Sequence, residues 1–148
     1  MAPAIAVCAS MTKILVGDNY LRDEGTKVLC DALRESKVTK VQQLDLSENL
    51  IGPEGAKAVA AMAAVVASVT VTDMRFNKLD TESATMLATV AKEKGISLCG
   101  IKPGQTEANL QGSLRRRMEP TDAILLTADL AVRASLTSVW TPAHEPSP

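Results

Sequence analysis

Rings are almost missing from this chain: one Trp, one Tyr and one Phe make up 2% of 148 residues. A small globular core rarely tolerates that shortage, whereas stacked thin layers of Leu, Val, Ala and Met do not need rings. Histidine is reduced to His144, inside a Pro-rich C-terminal stretch, so Ser/His/Asp or Cys/His catalysis would depend on an unanchored base. Cys8, Cys30 and Cys99 are odd in number and lack C-x-x-C spacing, which argues against a disulfide framework and a zinc site. A reducing, cytoplasmic compartment fits them best. A net charge of −1 gives no electrostatic case for nucleic acid or an anionic membrane as partner. Phosphate-cradling glycine motifs are absent too, so no cofactor, nucleotide or metal is expected. The uncharged run from Ala58 to Val71 falls short of the roughly 20 residues that span a bilayer. Residues 1–10 are apolar but lack a basic n-region and contain Pro3, so they read as a remnant of a preceding helix rather than a signal peptide.

What is present is repetition. From Val41 to Ala60 the chain reads as a short strand, an Asn turn and an Ala-rich helix. Leu44 and Leu46 alternate with Gln43, Asp45 and Ser47, so a strand there buries one face and shows the other. Asn49 stands where the chain leaves the strand, with an amide able to satisfy backbone groups of two adjacent turns. Shifting along the chain superposes Val69, Met74, Asn77, Leu79, Glu82 and Ala84 on Val41, Leu46, Asn49, Ile51, Glu54 and Ala56. Thr72 falls where Leu44 stood, a weaker match. Shifting back superposes Met11, Ile14, Val16, Asn19, Leu21, Glu24, Gly25 and Lys27 on the same unit. Asn19, Asn49 and Asn77 are therefore candidate structural turn residues.

The spacing Val41, Leu44, Leu46, Asn49, Ile51 matches the pattern L-x-x-L-x-L-x-x-N-x-I. Together with Ile51 to Ala58, which reads I-G-x-E-G-A-K-A, it resembles the ribonuclease-inhibitor-like class of leucine-rich repeats. The resemblance covers residues 11–95 and implies an α/β solenoid arc of four to five repeats, with parallel strands on the concave face and helices on the convex face.

Helices are expected from about Asp23 to Ser36, from Pro53 to about Ser68, and from Asp80 or Thr81 to Gly95. The first should bury Val28, Leu29, Ala32 and Leu33, and the third Ala84, Leu87, Ala88 and Ala91. Residues 96–140 read as diverged repeats with inserted loops: 96–101 as a strand without an Asn turn, then a loop. Periodicity returns at Leu110, and Met118–Ala123 can be laid over Ile51–Ala56. The helix that follows should bury Ala123, Leu126, Thr127 and Leu130, and Leu136–Val139 opens one more strand. Residues 141–148 form a Pro-rich tail. With no polar cap visible after Trp140, the chain reads as cut from a longer array.

Function, on this reading, lies in a non-catalytic surface for another protein. Stacked units place Lys13, Leu15 and Gly17 beside Gln43, Asp45 and Ser47, and these beside Val71, Asp73 and Arg75. Lys13, Gln43, Asp45, Ser47, Asp73 and Arg75 are the partner-binding candidates, the alternative being that they merely solvate the sheet. The Arg115–Arg117 run is a weaker candidate. The resemblance also implies two specific alternatives, a ribonuclease-inhibitor-like regulator or a GTPase-activating protein of the Ran activator type. A structural spacer within a larger receptor-like protein is a further possibility.

Overall fold

The computed structural model describes residues 8–110 and 117–140. Five short strands alternate with four helices: β1 (Lys13–Leu15), α1 (Arg22–Glu35), β2 (Gln43–Asp45), α2 (Pro53–Val65), β3 (Val71–Asp73), α3 (Thr81–Lys94), β4 (Glu107–Asn109), α4 (Pro120–Val132) and β5 (Ser138–Trp140). β1, β2 and β3 form one parallel sheet in which Ile14, Leu44 and Thr72 lie side by side. β4 and β5 form a second parallel pair. Each helix packs on the next, so the chain is an α/β arc of strand–helix units.

The period-two alternation sets the core: Ile14, Leu44, Leu46 and Met74 turn inward to meet Leu33, Ile51, Val59, Met62 and Leu87 from the turns and helices. Pro53 stands at the start of α2, where its missing N–H costs nothing. Asp80 caps α3 by accepting from the Ser83 N–H at 2.7 Å, and Gly95 closes that helix in the left-handed conformation.

The asparagines bind the units together. Asn77 is buried; its amide nitrogen donates to the Leu46 and Met74 carbonyls, and its oxygen accepts from the N–H groups of Asn49 and Ile51 in the preceding unit. Asn49 repeats this one unit earlier, donating to Val16 O and Ser47 O and accepting from Leu21 N–H. Asn19, with no described unit before it, donates only to Val16 O and Gly17 O and is exposed. The residue before each asparagine, Asp18, Glu48 or Phe76, takes a positive φ of 56, 55 or 61°, which aims the following amide into the turn.

Gly55 explains part of the I-G-x-E-G-A pattern. A Cβ there would lie 2.5 Å from Ile51 Cγ2 and 2.7 Å from Asp23 Oδ1. The same Asp23 carboxylate accepts from the Gly52 N–H at 2.6 Å, so the start of α1 holds the start of α2.

Three expectations about the helices need correction. α2 stops at Val65 rather than Ser68, because Val66 and Val69 are both buried in the return to β3 and the Val69 N–H bonds Val66 O. Val28 of α1 is exposed, at 55%. In α4 the buried face is Asp122, Leu125, Ala128 and Asp129, not Ala123, Leu126, Thr127 and Leu130. The aspartates turn that helix inward: Asp122 accepts from Phe76 N–H and Glu119 N–H, and Asp129 from Ser97 and its neighbours.

The segment 96–101 is likewise not a strand. It makes two isolated bridges to β3, at Ser97 and Cys99, before Gly100 at φ 74° turns it away. The regular strand comes later, at β4, just before Leu110, where the sequence pattern marks no element. Residues 1–7, Arg115, Arg116 and the tail from 141 lie outside the described residues.

Three substitutions test the layer assignments. Asn77→Ala should cost about 3 kcal/mol or more, since several buried backbone groups lose partners at roughly 1–3 kcal/mol each, while Asn19→Ala should cost under about 1. Thr72 sits in Leu44's register with a buried hydroxyl that lacks a partner, so Thr72→Val should raise stability by about 1 kcal/mol. Urea unfolding measures all three, and equal losses at Asn19 and Asn77 would refute the ladder.

Candidate functional site

The outward positions of β1, β2 and β3 meet at a shallow concavity of about 240 Å³. Lys13, Gln43, Asp45 and Asp73 line it, with Leu15, Val71, Gly100 and Lys102. Four of the six candidates are thus brought together; Ser47 and Arg75 lie beyond the strand ends and act on the lining from there. Ser47 gives its N–H and its hydroxyl to Asp45 Oδ1, at 2.9 and 2.7 Å. Gly17 leaves room for this turn, since a Cβ there would lie 2.9 Å from Ser47 Oγ and 3.0 Å from either Asp45 oxygen.

Asp73 and Arg75 do not face solvent as the alternation implied. Arg75 Nε donates to Asp73 Oδ1 at 2.9 Å and Nη2 to Oδ2 at 2.6 Å, the side chains being 11% and 10% exposed. The Arg75 guanidinium also stands 5.5 Å from the centre of the Phe76 ring. The returning chain after α3 covers them: a Cβ on Gly100 would come within 3.0 Å of Asp73 Oδ2. Burial pushes the Asp73 carboxyl above the usual carboxylate range, with Arg75 pulling against it. Burial opposes the Arg75 charge too, but the bond to Asp73 more than offsets it and raises the guanidinium further.

Composition and spacing gave no sign of a second polar cluster behind this edge. The Asp129 carboxylate, fully buried in α4, accepts from Ser97 Oγ at 2.5 Å, Leu98 N–H at 2.6 Å and Cys99 N–H at 3.1 Å. One turn later Arg133 donates to the carbonyls of Ile101, Gly95 and Thr70. Together they satisfy the backbone of 95–101, which a regular strand would otherwise have done. The spacing of four between Asp129 and Arg133 was the signal available, but it reads as a surface ion pair. Two of the thiols, Cys30 and Cys99, are buried. Burial pushes Cys30 up to about 12 and Cys99 well above its ordinary value, Asp31 and Asp129 adding to the respective shifts.

Among the described residues no group of three or more His, Cys, Asp and Glu could hold a metal ion, and no helix is long and apolar enough to cross a membrane. On the convex side, exposed Lys27 pairs with half-buried Asp31 at 2.6 Å, and exposed Lys57 with exposed Glu54 at 2.9 Å.

Comparison with known proteins agrees with this geometry. A family model described as Leucine Rich repeat matches residues 39–60, the unit around Asn49. A solved structure of the tropomodulin C-terminal domain from Caenorhabditis elegans superposes with a TM-score of 0.57, covering 95% of this chain and 81% of that one. Its sequence identity is 14%, so the likeness concerns the fold. No curated protein matches the chain.

The raised Asp129 carboxyl predicts a pH dependence. Desolvation raises it, against the bonds from Ser97, Leu98 and Cys99. A carboxyl whose folded pKa lies above its unfolded value, about 3.9, stabilises most fully below that value and loses the contribution as pH rises through the folded one. The stability difference between the wild type and Asp129→Asn should therefore shrink as pH rises across that window. A difference independent of pH, measured by urea unfolding, would show that Asp129 does not titrate differently in the two states.

Proposed function

We propose that this leucine-rich repeat protein is a non-catalytic protein–protein interaction module of the cytoplasm, and that its partner lies on the concave sheet. The observation that carries the reading is the concavity itself, where Lys13, Leu15, Gln43 and Asp45 present two charges, an amide and an apolar side chain on one rigid surface. Binding groups held by paired strands lose little freedom on association, which favours a specific contact. Asp73 and Arg75 support that surface: each holds the other, and both side chains are largely buried.

The finer assignment to the ribonuclease-inhibitor-like class is favoured by the close packing at Gly55, which gives its place in the I-G-x-E-G-A pattern a structural reason.

Site-specific photo-crosslinking tests the location. A photoreactive side chain at Gln43 should capture a protein from cell lysate, and the same group at Thr85, exposed on the convex helix α3, should not. Capture from Thr85 alone would move the interaction to the helices and defeat the reading.

A further inference from the structure

The concave face is polarised along its strands. Lys13 opens β1, level with Gln43 of β2 and Val71 of β3. The chain leaving α3 follows β3 to Cys99, reverses at Gly100, and comes back toward the strand starts. Arg133 fixes that reversal, because its Nε holds Ile101 O at 2.9 Å and its Nη2 holds Thr70 O at 2.8 Å. Lys102 is therefore returned to the end of the sheet that Lys13 occupies, and both line the concavity. Both are exposed, and neither forms an ion pair among the described residues.

The carboxylates stand at the other end, where they already have partners: Asp45 bonds the N–H and hydroxyl of Ser47, and Asp73 is held by Arg75. Beside Asp45 in the register lies Leu15, 66% exposed. The face thus offers two uncommitted ammonium groups at one end and an apolar side chain further along.

Resting on the proposed concave binding face, we infer that its partner is an extended, acidic protein segment. A carboxylate side chain seats between Lys13 and Lys102, and an apolar neighbour lies on Leu15. A basic segment would meet the ammonium groups first, and of the two acids on the face Asp73 is already paired with Arg75. Interactions of this exposed kind are screened over a Debye length of about 10 Å at 0.1 M salt, so they act on partner choice and on encounter rate.

Fluorescence anisotropy with the full chain tests this, using three short labelled peptides that alternate Val with Glu, with Gln or with Lys. The Glu peptide should bind about tenfold more tightly than the Gln peptide, a preference that fades with added salt and disappears in Lys13→Gln/Lys102→Gln. Leu15→Ser should weaken the Glu and Gln peptides alike. A Glu peptide no tighter than the Gln peptide, or one that keeps its advantage in the double variant, overturns the inference. Two further outcomes separate it from the reading beneath it. Preference for the Lys peptide that is lost in Asp45→Asn overturns the acidic partner but keeps the concave face. A Glu preference that survives the double variant and is lost in Lys27→Gln/Lys57→Gln, on α1 and α2, overturns both.

Discussion

The buried carboxamide of asparagine is the constraint from which the architecture follows. Each turn between strand and helix leaves backbone groups that the ladder cannot reach, and they are buried as soon as another unit stacks on top. A side chain with two donors and an acceptor on a short stem answers both turns at once: Asn77 serves Leu46, Met74, Asn49 and Ile51. The geometry is demanding enough that Asp18, Glu48 and Phe76 accept left-handed backbone to meet it, a conformation costing roughly 1–2 kcal/mol for L residues. That two carboxylates and an aromatic ring share it shows that the turn, not the residue, dictates the angle.

This also explains which parts of the fold were legible in the sequence. Leu44, Leu46, Asn49 and Ile51 are each fixed by one repeating demand, so their spacing survives when neighbours change, and strands, turns and the first three helices could be read from it. Thr72 still fits the register, although its hydroxyl has no partner. The misreadings cluster where a single non-repeating contact decides. Helix α4 carries Leu126 and Leu130 on one stripe and Asp122 and Asp129 on another, and hydrophobicity alone points the first stripe inward. The structure chooses the second because those carboxylates satisfy the N–H groups of Phe76, Leu98 and Cys99. Such contacts span 30 residues or more in sequence, and a periodic pattern holds no record of them.

The candidate face was legible to the same degree. Alternation placed Lys13, Gln43 and Asp45 on one side of the sheet, and they line one concavity. It failed at Asp73 and Arg75 because it assumes that a strand's outer face is open, whereas the last strand of this sheet has chain folded over it. Desolvating two charges is costly, and their mutual bidentate bond makes the burial tolerable without making it strongly stabilising. What the pair provides is a fixed position for Asp73, next in register to Asp45.

The end of the sheet and the chemistry of the face then turn out to be one event. Had 96–101 continued as a regular strand with its own asparagine turn, its outward residues would have extended the alternating surface and Lys102 would have gone on toward a helix. Asp129 and Arg133 instead take over the backbone groups of that segment, which lets the chain reverse at Gly100 without burying unpaired polar atoms. The reversal covers Asp73 and Arg75, removing one acid and one base from the exposed surface, and brings a lysine back to the end where Lys13 already stands. Asp129 of α4 and Arg133 just past its end thereby set the charge pattern of the concave face from behind the sheet.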